Sequence, residues 1–478
     1  MNPLMMKKYI VSILKFENMW VFMPTLFLIL YVPQMVVGIL KFGDLTAYTL
    51  TGVIILGSAT YFLAYRGLSK YKVPEFRNIS HMFRNGLLSQ YAVISISVFY
   101  FAMIFYAILT SERVALWEAL SGASADDIAF AREALFRNRF GWEKSLVYAN
   151  AIFSSALMPY ILVICYIEKK SYRHVLLAMF AMSLLPSLEK VLILKAFLPL
   201  ILLGFNGYFP RRRVIQMAGG TMIIIVGAFF FSKMGGADYL RQNRITINLL
   251  QAQKVALYEW MKNTPRLTEK DREKMTSGEI QRSREIERES EIIYRAQDNT
   301  IQKNLDYFIW AERYLLKYNI FGDGRLQYVV NRVLWIPYVT AYDWLGYFYE
   351  KLEGKYLFGK TSSLIAWITG EVKFPMEREV FKYQFGESGP QTASANASFL
   401  VDAFVNFGWI GVVIYASLFA ALTWLVVVQA NPAMQACYYY FALQASMGGL
   451  SGVLFSNGML LLILLAFFAR PKSNVVTY

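Results

Sequence analysis

Runs of about twenty apolar residues recur along this chain, and they constrain its fold more than any motif does. At 1.5 Å rise per residue, such a run is long enough as a helix to cross a hydrocarbon layer of roughly 30 Å. The runs lie near 19–40, 45–65, 91–110, 146–167, 175–187, 191–209, 214–231, 404–428, 434–454 and 458–469. The sequence therefore predicts an all-α, polytopic integral membrane protein of about 10 transmembrane helices. An irregular pair around SLLPSLEKVLILKAFLPL widens that range to 10–12. Hydrophobic residues make up 56% of the 478, as many lipid-facing helices require. No small-residue cleavage site follows the first run, which is long enough to remain, so no cleavable signal peptide is expected. Cys165 and Cys437 both fall in spans and read as small core residues rather than a disulfide or a metal pair.

Basic residues in the short connections set the orientation. Lys7, Lys8 and Lys15 precede the first span, Arg66 to Arg84 fill the second-to-third connection, and Lys169, Lys170 and Arg173 follow the fourth. Arg211, Arg212 and Arg213 follow the sixth, and Arg470 and Lys472 follow the tenth. In a ten-span arrangement these groups share one side, which places both termini in the cytoplasm. Much of the net charge of +15 is this topological signal and requires no nucleic-acid partner. The chain then divides into membrane helices 1–231 with an outer loop at 111–145, a large extracytoplasmic loop 232–395 holding short helices, and membrane helices 396–478. Within the large loop, EKDREKMTSGEIQRSREIERESEIIYRAQ interleaves acids and bases at helical spacing and reads as a solvated, ion-paired arm.

The outer segments hold no histidine, no cluster with metal-ligand spacing and no P-loop, so outer-face chemistry would run without zinc, ATP or a histidine base. Arginine, lysine and carboxylate are the side chains left. Gly324 to Phe358 sets Arg325, Arg332 and Asp343 among Tyr328, Trp335, Tyr338, Tyr342, Trp344 and Tyr347. Such density of Tyr and Trp points to a segment at the water–lipid boundary, and aromatic faces also stack on pyranose rings. An arginine fork suits phosphate oxygens.

GPQTASANASFLVDAFVNFGWIGVVIYASL begins as a polar loop and ends as a span, carrying Asn396, Asp402 and Asn406 with it. Written as a helix, Ser398, Asp402 and Asn406 share one face. Polar residues at that depth line a cavity or bind another helix, while Gly408 and Gly411 allow a neighbour to approach. Lys190 and Lys195 sit in or beside an apolar span and need a partner, Glu189 or a phosphate, or a route to the rim. AREALFRNRFGWEK places Arg132, Arg137 and Arg139 beside Phe136, Phe140 and Trp142, either as a lipid-phosphate clamp or as an interfacial helix.

Three stretches resemble, in order, signatures of bacterial oligosaccharide repeat-unit polymerases, the Wzy-type O-antigen and capsule polymerases. NRVLWIPYVTAYDWLGYF is similar to that family's Arg…Pro…Tyr-Asp…Phe stretch, ANASFLVDAFVNFGWIGV to its small-residue entry into a late helix, and SLEKVLILKAFLPL to its Ser-x-x-Lys stretch. The resemblance covers about 183 to 413; the arm at 266–300 departs from it.

It implies a GT-C-like membrane glycosyltransferase of the bacterial cytoplasmic membrane that needs no metal or other cofactor. Its substrates would be undecaprenyl-pyrophosphate-linked oligosaccharides, met among membrane lipids, and a chain-length regulator would be a partner. Pyrophosphate leaves readily if fixed positive charge meets it, a role for Arg332. A carboxylate, Asp343, Glu387 or Asp402, would orient or deprotonate the acceptor hydroxyl. Substrate binding would draw on Arg132, Arg137, Lys190, Lys195, Arg325, Tyr342, Asn396 and Asn406. An O-antigen ligase shares this architecture but typically carries an outer-loop histidine, absent here. A flippase for the same lipid-linked sugar would show internal repeats, and none is visible.

Overall fold

The computed structural model describes residues 12–71, 90–123, 125–187, 192–210, 212–221, 330–385 and 394–469, with short stretches such as 248–259 and 294–302 between. Every regular element among these residues is helical. We label α1 Phe16–Phe42, α2 Leu45–Leu68, α3 Gln90–Thr110, α4 Ala125–Phe136, α5 Gly141–Ile167, α6 Arg173–Leu184 and α7 Leu192–Phe205. After these come α8 Ile336–Glu350, α9 Ser363–Thr369, α10 Met376–Phe385, α11 Phe399–Gln429, α12 Pro432–Ser446 and α13 Met459–Phe468.

Five of them, α1, α2, α3, α5 and α11, are long and apolar enough to cross a membrane, so the protein is a helical membrane protein by composition and length. Ile55 and Leu63 on α2 and Phe105 and Leu109 on α3 are exposed, as helices bordered by lipid require. The expected spans at 175–187, 191–209, 434–454 and 458–469 correspond to the shorter α6, α7, α12 and α13. Sequence punctuation explains part of the shortening: Pro186 closes α6, and Gly448 and Gly449 follow the end of α12. The 214–231 run is described as helix only to residue 221.

The chain forms two compact units, Met1–Lys233 with Val333–Tyr478, and Met234–Arg332. Residues 333–395, expected in the large outer loop, thus belong with the helices of the first unit. In the second unit Lys254 pairs with Asp298 at 3.8 Å and with Gln302, while Arg295 pairs with Glu291 one helical turn away at 2.7 Å. Of these pairs, Arg295–Glu291 lies in the charged arm, most of which, including 269–281 and 283–287, is outside the described residues.

At the centre of the first unit α11 packs along α2. A Cβ on Gly57 would lie 2.4 Å from Leu400, so the missing side chain is what lets the two backbones approach. Hydroxyls tie the pair together: Tyr61 of α2 donates to Thr423 of α11 at 3.2 Å, and Thr423 lies 2.6 Å from Tyr438 of α12. The aromatic run of α8 is packed inward rather than spread at a boundary. Trp335, Tyr338, Trp344 and Phe348 are buried, Phe42 stacks on Tyr342, and the Trp344 indole donates to the Ala395 carbonyl at 2.8 Å. Those rings satisfy a core before they could offer a face to a sugar.

Candidate functional site: a broken helix beside a polar cavity

The Ser398 hydroxyl caps α11, accepting from the Leu400 amide at 3.2 Å. Asp402 and Asn406 follow on one face, as their spacing predicts, and Asn406 Nδ2 donates to both Asp402 O at 2.8 Å and Asp402 Oδ1 at 3.0 Å. Then the helix breaks. Gly408 takes φ 63° and ψ −151°, a backbone region open essentially to glycine alone. Its role is therefore larger than close approach, although the Tyr356 phenol does sit where a Cβ would be, at 2.8 Å.

The break releases carbonyls that an unbroken helix would satisfy internally. Residues 357–361, a loop following α8, supply the donors. Leu357 N–H donates to Val405 O at 3.1 Å and Phe358 N–H to Asn406 O at 3.0 Å. Gly359 N–H donates to Asn406 Oδ1 at 2.8 Å. Thr361 Oγ1 donates to Asp402 Oδ1 and accepts from Asn406 Nδ2, both at 2.8 Å. Asn406 is thus a clasp between the half-helix and the loop. The loop is itself stapled, with Phe374 N–H on Lys360 O at 2.9 Å and Lys360 paired to Glu371 at 3.1 Å.

These bonds occupy Asp402 Oδ1 and leave Oδ2 facing Gly449, where a Cβ would come within 3.1 Å of it. In front lies a cavity of about 380 Å³. Asp402, Glu377, Lys373 and the hydroxyls of Thr361, Ser362 and Ser456 give it a polar lining. A carboxylate held by one oxygen and open at the other can accept a proton or orient a hydroxyl, and an ammonium can meet anionic oxygens. Among the described residues, no group of three His, Cys, Asp or Glu side chains is placed to hold a metal ion.

Asp343 is buried between α8 and α10, takes a hydrogen bond from Gln384 Nε2 at 2.8 Å, and does not line this cavity. Tyr342 donates to Asp44 at 2.5 Å. Burial first, then that bond to an acid, raise its phenol well above the ordinary tyrosine value, and burial with a bond to Glu350 does the same for Tyr383. Neither is a tyrosinate near neutral pH.

Lys195 is buried and donates to Ser154 at 2.9 Å, inside a π-turn of α5 at Phe153–Leu157. In the segment 111–145, Arg137 pairs with Glu133 at 3.1 Å on the helix that also carries Arg132. Burial lifts the Glu133 carboxyl above its usual range, opposed by Arg137 and Arg378. Arg139 is spent on structure, donating to Ala107 O and Thr110 Oγ1 at 2.7 Å and pairing with Glu143 at 3.1 Å. Asn396 is exposed three residues before α11, and Arg332 is exposed at the end of the second unit. Arg325, Glu387 and Lys190 lie outside the described residues.

Of the residues singled out in the sequence, the structure brings Asp402 and Asn406 together. Thr361, Lys373 and Glu377 join Asp402 at the cavity without having been anticipated. They come from an aperiodic loop and its neighbour, where spacing carries no signal; the one available cue was the cluster of small hydroxyl residues Thr361, Ser362 and Ser363. No family model, no curated protein and no solved structure matches the chain.

Proposed function

We propose that the chain is a membrane glycosyltransferase that joins undecaprenyl-pyrophosphate-linked oligosaccharide repeat units into O-antigen, capsule or exopolysaccharide. The observation that carries this reading is a carboxylate, Asp402, held by Thr361 and Asn406 through one oxygen while the other faces a hydroxyl-lined cavity with a lysine on its wall. The three motif resemblances supply the reaction class.

In the proposed step a hydroxyl of one lipid-linked repeat unit attacks the anomeric carbon of another lipid-linked chain. The new carbon–oxygen bond forms as the bond to pyrophosphate breaks, and the electron pair leaves with the pyrophosphate. Asp402 takes the hydroxyl proton, with Glu377 as the second acid at the cavity. Lys373 meets the departing anionic oxygens; Arg332, the motif-based candidate for that role, does not line the cavity. No metal or other cofactor enters this scheme.

The same reading holds that ten spans cross the bacterial cytoplasmic membrane in a GT-C-like fold, with both termini inside, the cavity on the outer side and a chain-length regulator as partner. Orientation is testable with an impermeant thiol reagent on spheroplasts, because the native Cys165 and Cys437 are buried. Ser121→Cys should label and Ser69→Cys should not; the reverse pattern overturns the orientation. For the chemistry, purified protein is given lipid-linked repeat units. Asp402→Asn should stay folded and lose about 10²–10⁴ in rate, the scale of general-base catalysis. Wild-type turnover by folded Asp402→Asn would remove Asp402 from the mechanism.

A further inference from the structure

The cavity has two kinds of wall. Its interior is polar, but four of its lining side chains, Tyr148, Leu364, Trp367 and Phe455, are large, apolar or aromatic, and also exposed. Trp367 is 78% exposed while lining the cavity. These residues form a rim rather than a floor.

What covers the rim follows from where it sits. Tyr148 belongs to α5, one of the helices able to cross a membrane, and Phe455 shortly precedes the wholly apolar α13. Beyond the rim, Ile368 and Val372 are also exposed, continuing the apolar surface along α9 and its turn. Amphipathic aromatics next to spanning helices sit at the boundary between headgroups and hydrocarbon. A water-facing mouth would leave this patch unprotected, whereas a lipid-facing one buries it.

We infer that the cavity opens sideways into the bilayer across Tyr148, Leu364, Trp367 and Phe455, and that it takes an amphiphile whose polar head lies toward Asp402 and whose hydrocarbon chain leaves over Trp367 and Phe455. The head group's identity rests on the glycosyltransferase reading; the portal does not. At about 380 Å³ the cavity lies in the range of ligand sites, about 300–1,000 Å³, so it holds a head group and leaves the chain outside.

The test places a thiol-reactive fluorophore at Trp367→Cys, at Phe455→Cys and, for comparison, at the exposed loop position Ser121→Cys, each in the full-length chain with Cys165→Ala and Cys437→Ala. The proteins are reconstituted into phosphatidylcholine vesicles with or without dibrominated acyl chains. Leu364→Cys replaces either rim variant that fails to fold. Brominated lipid should quench the rim labels several-fold more than the loop label, and aqueous iodide should do the opposite. Rim labels quenched by iodide as strongly as the loop label, with no effect of brominated lipid, would overturn the portal.

Undecaprenyl phosphate added to the brominated vesicles should relieve rim quenching by displacing phospholipid chains; unchanged quenching at saturating amounts would overturn the assigned ligand. Rim quenching in a folded protein that makes no polymer from lipid-linked repeat units would overturn the enzymatic reading and uphold the portal.

Discussion

Asp343 and Asp402 are alike in most respects that mark a residue as functional. Both are buried acids on helices of the first unit, and each accepts a hydrogen bond from a side chain brought by a distant segment, Gln384 or Thr361. They part at what lies beside them. Asp402 faces a glycine and an open cavity, whereas Asp343 is enclosed between α8 and α10 and touches no part of that space. Burial with a partner is therefore common to structural and reactive acids, and room for a ligand separates them. In an aromatic helix with a motif resemblance, Asp343 looks the more catalytic of the two; in three dimensions Asp402 has the access.

The contrast can be attacked at its foundation first. Gly408→Ala combines backbone strain with a clash against Tyr356, and should destabilise the protein by about 2–6 kcal/mol, read as thermal unfolding in detergent. A tolerated alanine would mean the break is not what shapes the site. Asn406→Leu strands the Gly359 amide and one bond of Thr361, and should lose about 2–4 kcal/mol together with activity.

Asp343→Ala leaves Gln384 without its acceptor and should lose about 1–3 kcal/mol; Asp343→Asn, which still accepts that bond, should lose less than about 1 kcal/mol and keep turning over. If folded Asp343→Asn is inactive while Asp402→Asn works, the two acids exchange roles. A small stability effect, about 1 kcal/mol, is expected from Gly449→Ala, because its Cβ meets only the Asp402 carboxyl group. Polymerisation by this variant should nonetheless fall sharply, since the methyl group stands in front of Oδ2. Normal rates would show that substrate does not approach Asp402 from that side.

Five of the expected spans, α1, α2, α3, α5 and α11, were legible because a run of apolar residues is a local signal with a fixed length requirement. So was the shared face of Asp402 and Asn406, which follows from helical spacing alone. Gly408 was visible as a residue, but its conformation was not: a glycine in an apolar helix reads equally as a packing contact or a break. The bond from Gln384 to Asp343 joins residues 41 positions apart and needs tertiary structure to be seen. The α8 aromatics were read for their chemistry at a boundary, and packing against Phe42, Asp44 and Ala395 claimed them instead. Lys373 in a loop and Glu377 in the first turn of α10 escaped notice because ordinary charged residues acquire meaning only from the cavity they meet.

A continuous helix brings its own hydrogen bonds into the bilayer and can partition there alone. The half from Phe399 to Phe407 is different, because the carbonyls of Val405 and Asn406 find their donors at Leu357 and Phe358, made earlier by the ribosome. Donors therefore emerge before acceptors, and during synthesis the loop is the waiting template onto which the later helix docks. Deleting the helix would leave the loop amides hydrated and harmless. Deleting the loop would strand carbonyls in hydrocarbon, so biogenesis of α11 should fail in chains lacking 355–362 even though every apolar residue of the helix is still present.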